Sequence, residues 1–279
     1  MSEKVTDFTI GADPEFTCVD QKNRVISASD TVSEDDDFGV DGNGMTFEIR
    51  PKESTEPLQL VHNIHDIFVR QVIKDNDFLK FRWISDSWYS GYPLGGHIHF
   101  GVGSRVNHEN AVLRLDNYLG LPSLLIETKS KGIRRRADGY GRMGDYRDQD
   151  WGFEYRPTSS WLTSPYVSAA ILCLGKTVMY EMLNNSRFQW KELVEEGDFR
   201  NIPKPHLREK FSEIWKGITT MKLYQNYKPY IDLIYFLVKN HLTWTPRVNM
   251  KEVWGVVDMK PCISSKINLD VLWCRYNNE

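Results

Sequence analysis

Polar and apolar side chains alternate in the stretch Gly95-Gly-His-Ile-His-Phe-Gly101. Successive side chains of a β-strand point to opposite faces of the sheet, so His97 and His99 share one face while Ile98 and Phe100 share the other. The first face is polar and suited to chemistry, and the second is suited to a hydrophobic core. The flanking glycines let a ligand or a neighbouring backbone approach closely.

The same alternation recurs in three other segments. Their polar pairs, also two residues apart, are Asp13 and Glu15, Glu48 and Arg50, and Glu154 and Arg156. The neighbours of these pairs are apolar, as with Phe47 and Ile49 on either side of Glu48. Any single pair is typical of the solvated face of an antiparallel sheet. Four pairs composed of acids, imidazoles and guanidinium groups favour the binding of metal and phosphate.

Helical spacing dominates the later part of the chain. Apolar residues recur at steps of three and four over 58–81 and over 110–127, where Pro122 is expected to bend or divide the helix. Further helices are predicted over 165–183, 189–196, 206–220 and 229–242. The sequence therefore predicts an α+β chain, with one catalytic domain over residues 1–279, its motifs in 8–165 and a helical C-terminal part over 165–279.

The composition excludes several classes of protein. Of the 279 residues, 41% are hydrophobic and 26% are charged, which is typical of a globular chain. A net charge of −3 argues against sequence-independent binding of duplex nucleic acid. The basic segment Lys129–Arg136 predicts either a solvated loop or a site for a polyphosphate.

Cysteine spacing and hydropathy indicate the compartment. Cys18, Cys173, Cys262 and Cys274 lie far apart and form no CxxC pair, which predicts reduced thiols. The N-terminal residues lack the apolar segment of a secretory signal, and no apolar stretch approaches the ~18 residues of a membrane span. We therefore expect a cytoplasmic protein without a membrane partner.

The acids of the four pairs point to hard cations. Four carboxylates on one face would resist ionisation unless a cation neutralised them, and Mg²⁺ does so with oxygen ligands that it shares with phosphates. The arginines would then grip phosphate through their planar forks. These residues predict a nucleotide-dependent site with two or three Mg²⁺ ions. Because two imidazoles on one strand also begin many zinc and iron sites, His97 and His99 leave a transition metal open.

Five motifs, in this order along the chain, resemble the phage-type carboxylate-amine ligases, the COOH-NH2 ligase type 2 group of the glutamine synthetase and glutamate-cysteine ligase superfamily. They are Ile10-Gly-Ala-Asp-Pro-Glu-Phe16, Asp41-Gly-Asn-Gly-Met-Thr-Phe-Glu-Ile-Arg-Pro51, Gly95-Gly-His-Ile-His-Phe-Gly101, Tyr140-Gly-Arg-Met-Gly-Asp-Tyr-Arg147 and Phe153-Glu-Tyr-Arg-Pro157. The resemblance implies a glutamine-synthetase-like fold, in which a curved antiparallel sheet carries the active site on its concave face and helices pack on the other face.

The resemblance also implies an activity and roles for individual residues. ATP would phosphorylate a substrate carboxylate, and an amine would displace the phosphate to form an amide. By resemblance, the metal ligands, for Mg²⁺ or Mn²⁺, are Asp13, Glu15, Glu48, His97 and Glu154. Catalytic roles fall to Glu48, Arg147 and Arg156. Nucleotide binding falls to His99, Arg50, Arg135 and Arg136, the last two in a mobile basic lid over residues 134–147.

The substrates and two competing functions stay open. The acid and the amine could be small molecules, peptide ends or a modified nucleobase, and the sequence gives no oligomeric state. A phage-encoded enzyme of this kind would act in the host cytoplasm. One alternative is a metal-dependent hydrolase built on His97, His99 and the carboxylates, and another is a binding protein without catalysis.

Overall fold

The protein is described by a computed structural model over residues 7–193, 204–244 and 249–258. It contains an eight-stranded sheet in which every paired strand is antiparallel, with the path β3-β4-β1-β8-β10-β9 and with β2 and β5 also paired to β1. The strands are β1 (Thr9–Val19), β2 (Val25–Ile26), β3 (Phe38–Val40), β4 (Phe47–Ile49), β5 (Arg82–Ile84), β6 (Trp88–Tyr89), β7 (Tyr92–Pro93), β8 (Gly96–Gly101), β9 (Tyr146–Gln149) and β10 (Gly152–Tyr155). Strands β6 and β7 form a separate hairpin.

Strand β1 organises the sheet by changing partners along its length. Residues 9–14 pair with β8, and the following residues pair with β4, β5 and β2. The apolar positions predicted for the inner face, including Ile98, Phe100 and Phe153, are fully buried. The predicted alternation is therefore confirmed, and one face of the sheet belongs to the core.

Helices surround the sheet, and the helix Pro165–Asn184 packs on this apolar face. They are α1 (Pro57–Lys74), α2 (His108–Leu115), α3 (Leu121–Ile126), α4 (Lys129–Ala137), α5 (Pro165–Asn184), α6 (Lys204–Ile218), α7 (Tyr224–Lys239) and α8 (Met250–Val253). Helix α5 begins at Pro165 because Ser164 caps it, its Oγ accepting a hydrogen bond from the Val167 amide at 3.1 Å. Gly175 brings α5 close to the sheet, since a Cβ there would lie 3.3 Å from Phe100. The α+β class is confirmed by this arrangement.

Several predicted helix boundaries were wrong. The helix predicted over 58–81 ends at Lys74, because Asp75 leaves helical backbone geometry and its carboxylate caps a following 3₁₀ helix, Asn76–Lys80. The helix predicted over 110–127 is divided as expected, by a π-helical turn at Asp116–Gly120. No helix forms over 189–193, and residues 194–196 lie outside the described part of the chain.

The basic segment Lys129–Arg136, for which the sequence leaves open a solvated loop or a polyphosphate site, lies in the helix α4. Its fourth residue, Gly132, has low helix propensity, which weakens the helical signal in the sequence. Tertiary contacts decide the matter, because Gly132 packs on the Glu127 carboxylate so closely that an added Cβ would lie 2.0 Å from Oε1. Burial therefore overrides local propensity here.

Helix α5 is a long apolar helix. Among the described residues it alone is long and apolar enough to cross a membrane, but 78% of its most apolar window is buried within the fold. This burial is typical of a core helix. The described cysteines, Cys18 and Cys173, are free and buried, whereas Cys262 and Cys274 lie outside the described residues.

A buried carboxyl group joins the helices to the sheet. Asp116 accepts a hydrogen bond from the Tyr155 hydroxyl at 2.8 Å through Oδ1 and one from the Gly144 amide at 2.7 Å through Oδ2. Burial raises the pKa of Asp116 to about 7. The carboxyl group is therefore protonated in the folded protein at pH values where an unfolded chain has already lost the proton.

We predict that Asp116→Asn flattens part of the pH dependence of stability. Because the folded pKa is raised, the wild type is most stable relative to this variant below about pH 4 and loses that advantage as pH rises through about 7. The loss is at most about 1.4 kcal/mol per pH unit. Urea unfolding from pH 4 to 8 measures it, with the exposed Asp30→Asn as a control for net charge. Parallel curves for wild type and Asp116→Asn would contradict the prediction.

Candidate active site

A cavity of about 570 Å³ lies over the polar face of the sheet. From the strands it receives Asp13, Glu15, Glu48, Tyr92, Pro93, His97, Arg147 and Glu154. From loops and α4 it receives Asp41, Gly42, Asn43, Gly91, Gly95, Arg135, Asp138, Tyr140 and Arg156. All four polar pairs found in the sequence contribute at least one residue to this cavity.

The strand register explains how distant segments meet. Glu15 on β1 is directly opposite Glu48 on β4, and Asp13 is directly opposite His97 on β8. Strand β10 lies between β8 and β9. Its Glu154 is opposite His99 of β8 on one side and Arg147 of β9 on the other. Side chains directly opposite on antiparallel strands have Cβ atoms roughly 4.5–5.5 Å apart, which is close enough for them to bind one ion.

Asp13, His99 and Glu154 form the tightest group of potential metal ligands. One ligand atom from each lies within 4.8 Å of the others, and His99 Nε2 is 3.1 Å from Asp13 Oδ1. His97 adds its Nδ1 at 3.4 Å from Asp13 Oδ1 and 3.3 Å from Glu154 Oε1. Asp13 Oδ1 is buried and has no hydrogen-bond partner among the described residues. A buried carboxylate oxygen without such a partner fits a divalent cation.

Two arginines approach Glu154 from neighbouring strand positions. Arg147 Nη1 lies 3.3 Å from Glu154 Oε2, and Arg156 Nε lies 3.3 Å from Oε1. Glu154 is only 4% exposed, so these guanidinium groups supply the positive charge that its burial requires. Both arginines also line the cavity, where the same forks can bind phosphate or carboxylate.

The protonation states indicate a shortage of positive charge. Burial raises the pKa of Glu15 to about 7, and burial together with the charge of Asp13 raises the pKa of Glu48 to about 8. Burial alone would raise the pKa of Asp13, but the close approach of the His97 and His99 imidazoles outweighs it, so the pKa is lowered. Burial lowers the pKa of His97, but the opposing effect of Asp13 is larger, so the pKa of His97 is raised overall. Divalent cations would supply the missing charge, so the donor set fits Mg²⁺ or Mn²⁺.

Three residues assigned to the nucleotide do not line the cavity. Arg50 donates hydrogen bonds to the carbonyls of Glu34, Asp36 and Val40 and to Glu48, so it fixes the preceding loop and one acid of the site. Arg136 is buried and paired with Glu127. His99 belongs to the metal-ligand group, and its ring stands 5.3 Å from that of Trp151.

Glu127 anchors α4, the helix that contains Arg135, through its ion pair with Arg136. Besides Arg136, it accepts hydrogen bonds from Ser159 Oγ at 2.8 Å and Ser87 Oγ at 3.4 Å. It thereby joins α4 to the residue before β6 and to the segment that follows β10. Sequence reasoning missed Glu127, because its partners are 9, 32 and 40 residues away. It also missed Asp138, whereas Asp41, Asn43 and Tyr140 lie in motifs that the sequence had singled out.

Comparison with known proteins identifies the family. The model of a family described as phage phiEco32-like COOH.NH2 ligase-type 2 matches residues 10–256. The chain therefore belongs to this family, and the resemblance seen in the motifs is confirmed. The family is one of carboxylate-amine ligases, which supports a ligase role for this chain and does not favour the hydrolase. A search of curated proteins found no match.

We predict that Asp13→Asn weakens binding of Mn²⁺ by about tenfold or more, because the variant removes the negative charge at the centre of the ligand group. Titration of Mn²⁺ followed by electron paramagnetic resonance measures the change. Asp35→Asn, in an exposed acidic run, is the matched control and leaves Mn²⁺ binding unchanged. Equal affinities for wild type and Asp13→Asn would place the ion elsewhere.

We also predict that Mn²⁺ binds more tightly as pH rises from 6 to 9. The pKa values of Glu15 and Glu48, about 7 and about 8, are raised, so both carboxyl groups lose protons over this range and become better ligands. Isothermal titration in buffers of different ionisation enthalpy counts the protons released per ion. In Glu48→Gln we expect fewer released protons and a flatter pH profile, and the same count in both proteins would refute this account.

Proposed function

We propose that the protein is an ATP-dependent carboxylate-amine ligase that forms an amide through an acyl phosphate. The observation that carries the proposal is the group Asp13, His99 and Glu154, which adjoins two cavity-lining arginines in a chain of the carboxylate-amine ligase family. A group of potential cation ligands beside two guanidinium groups suits a nucleoside triphosphate. We further propose that the sheet is glutamine-synthetase-like and that the enzyme works in the cytoplasm of an infected host.

The reaction begins with activation of the acid. A carboxylate is a poor electrophile, so one of its oxygens attacks the γ-phosphorus of ATP, and the bond from that phosphorus to the bridging oxygen of ADP breaks. The nitrogen of the amine then attacks the acyl carbon and releases inorganic phosphate, with loss of one proton from nitrogen. No nucleophile from the protein is required. This agrees with a cavity whose described lining contains no cysteine, serine or lysine.

The protein would contribute mainly positioning and charge. Asp13, His99 and Glu154 would hold one divalent cation, and Glu15 and Glu48, which are opposite each other across two strands, would hold another with His97 beside them. Such cations, when bound, neutralise the phosphate oxygens of the nucleotide. Arg147 and Arg156 are placed to stabilise the charge on the phosphoryl group during transfer.

The roles proposed for Arg147 and Arg156 require that each can bind a ligand in addition to Glu154 or in its place. Arg147 is 56% exposed in its side chain and sits on an edge strand, so it can turn from Glu154 to a bound phosphate with little loss of packing. Arg156 is less exposed, at 24%, and its Nε has no hydrogen-bond partner of good geometry among the described residues. Both therefore retain donors for a ligand.

We predict that wild-type protein, given ATP, Mg²⁺ and a pool of cellular metabolites, releases ADP and phosphate and forms an amide product detectable by mass spectrometry. With hydroxylamine in place of the amine, the acyl phosphate is trapped as a hydroxamate. Glu48→Gln forms neither product at more than about one hundredth of the wild-type rate, because the variant removes a cation ligand from the site.

The same assay tests a control variant and distinguishes the ligase from the two alternative functions. Asp35→Asn, at an exposed position outside the cavity lining, retains the wild-type rate. Products that form without ATP would indicate the hydrolase. Absence of ATP binding in folded wild-type protein would favour the non-catalytic binding protein, and ADP release without a hydroxamate would contradict the acyl phosphate.

A further inference from the structure

The hairpin formed by β9 and β10 carries several groups of the candidate active site. Arg147 of β9 lines the cavity, and Glu154 of β10 belongs to the metal-ligand group. In the turn between the two strands, the ring of Trp151 lies 5.3 Å from that of His99. The position of this hairpin therefore decides where these groups lie relative to a bound ligand.

Strand β9 is the part of the hairpin with the least support from the sheet. It is four residues long, lies at the edge of the sheet and pairs with β10 alone among the described strands. The side chain of Arg147 is 56% exposed, so packing does little to fix it. A short edge strand opens locally unless other contacts stabilise it.

His108, the first residue of α2, supplies such a contact. Its Nδ1 lies 2.7 Å from Oδ1 of Asp148, the residue that follows Arg147 on β9, and its Nε2 lies 2.8 Å from the carbonyl oxygen of Gly103. The Gly103 amide in turn donates a hydrogen bond to the Trp151 carbonyl at 2.9 Å. The imidazole therefore links both the edge strand and the turn of the hairpin to the beginning of α2.

The two partners of this imidazole determine its protonation state. The carbonyl oxygen of Gly103 can only accept a hydrogen bond, so Nε2 carries a proton. The carboxylate of Asp148 also accepts, so Nδ1 carries the second proton, and a ring with both protons is an imidazolium. Burial lowers the pKa of His108, but Asp148 and the Gly103 carbonyl raise it by more, so the charged ring is favoured.

Other groups around the imidazole are compatible with its positive charge. On β10 the ring packs on the uncharged Phe153, with ring centroids 5.0 Å apart. Burial together with Asp148 of β9 and Glu109 of α2 raises the pKa of the Tyr146 hydroxyl, which remains neutral at physiological pH. The guanidinium group of Arg105 donates to backbone carbonyls elsewhere. The acids near the ring therefore favour the imidazolium.

We propose that His108 is a positioning residue of the active site, which fixes β9 and thereby orients Arg147 towards the cavity. It does not line the cavity itself, so it acts through the strand and not on a ligand. A strand fixed in advance lowers the conformational entropy that is lost when the guanidinium group binds a phosphate. This inference rests on the proposed function, because the role of Arg147 at the transferred phosphoryl group is part of that proposal.

The positioning effect of His108 depends on pH. Below the raised pKa the ring donates from both nitrogens, and both links are present. A neutral imidazole has one N–H group, so one of the two links is lost as pH rises through this pKa. The contribution of His108 to ligand binding is therefore complete at low pH and falls at high pH.

Isothermal titration of the full chain with Mg²⁺-ADP and with Mg²⁺-AMP-PNP, an ATP analogue that has a γ-phosphate, tests the proposal. His108→Phe keeps a ring against Phe153 and removes both donors. With excess Mg²⁺ at pH 6.5, we expect this variant to bind Mg²⁺-AMP-PNP at least fivefold more weakly than wild type and Mg²⁺-ADP less than twofold more weakly. At pH 9 both differences fall below twofold. Asp150→Asn, an exposed position in the β9–β10 turn, is the control and leaves both affinities unchanged.

A second variant separates positioning from a general structural role. In Arg147→Gln, the residue through which His108 acts is absent, so adding His108→Phe changes the affinity for Mg²⁺-AMP-PNP by less than twofold. A merely structural role would give the same fivefold loss in both backgrounds. Urea unfolding of each variant confirms that the fold is retained.

An NMR titration of His108 tests the two links without any ligand. We expect a pKa above the ordinary value of about 6.5, with both ring nitrogens protonated at pH 6.5. Asp148→Asn lowers this pKa, and Asp150→Asn, the matched acid two residues away, leaves it unchanged.

Each contrary outcome identifies what is wrong. A His108 pKa at or below 6.5, equal affinities for wild type and His108→Phe, or a further fivefold loss in the Arg147→Gln background overturns the positioning role. Failure of folded wild type to bind Mg²⁺-AMP-PNP, with the pKa of His108 raised as expected, refutes the ligase proposal and with it the effect on the nucleotide.

Discussion

The register of one antiparallel sheet determines the rest of this structure. Because β4, β1, β8 and β10 are neighbours, acids and imidazoles from four distant segments stand side by side on one face. A shift of any strand by one residue would exchange its polar and apolar faces. The core below and the cavity above therefore constrain the same register, and neither can change without the other.

Crowding of like charges is the cost of this arrangement. The protein limits it with Arg50 on Glu48, with Arg147 and Arg156 on Glu154, and with imidazoles around Asp13. The remaining imbalance shows in the raised pKa values of Glu15 and Glu48. Such sites exchange stability for function, since buried groups of like charge are destabilising on their own and are suited to binding a cation.

The sequence predicted the polar pairs, the apolar face and the α+β class, because alternation along a strand is a local signal. The expectation that the pairs converge came from the resemblance of the five motifs to a ligase family, which implies one active-site face. The sequence did not predict α4, since Gly132 weakens the local helical signal and the contact that favours the helix is with Glu127. Nor could it distinguish Arg134, Arg135 and Arg136, because their surroundings depend on how α4 packs, which places Arg134 over Trp88 and Arg135 beside the Pro157 carbonyl.

The change of partner within β1 has a consequence for how the protein is made. Strand β1 leaves the ribosome early, but its first half pairs with residues 96–101 and these in turn pair with residues 153–155. Pairings of such high contact order form slowly. The partners of β1 all lie at or before residue 101, but the strand that brings Glu154 opposite His99 follows at 152–155, so a chain that ends before residue 152 contains Asp13, Glu15 and Glu48 without the strand that completes the metal-ligand group.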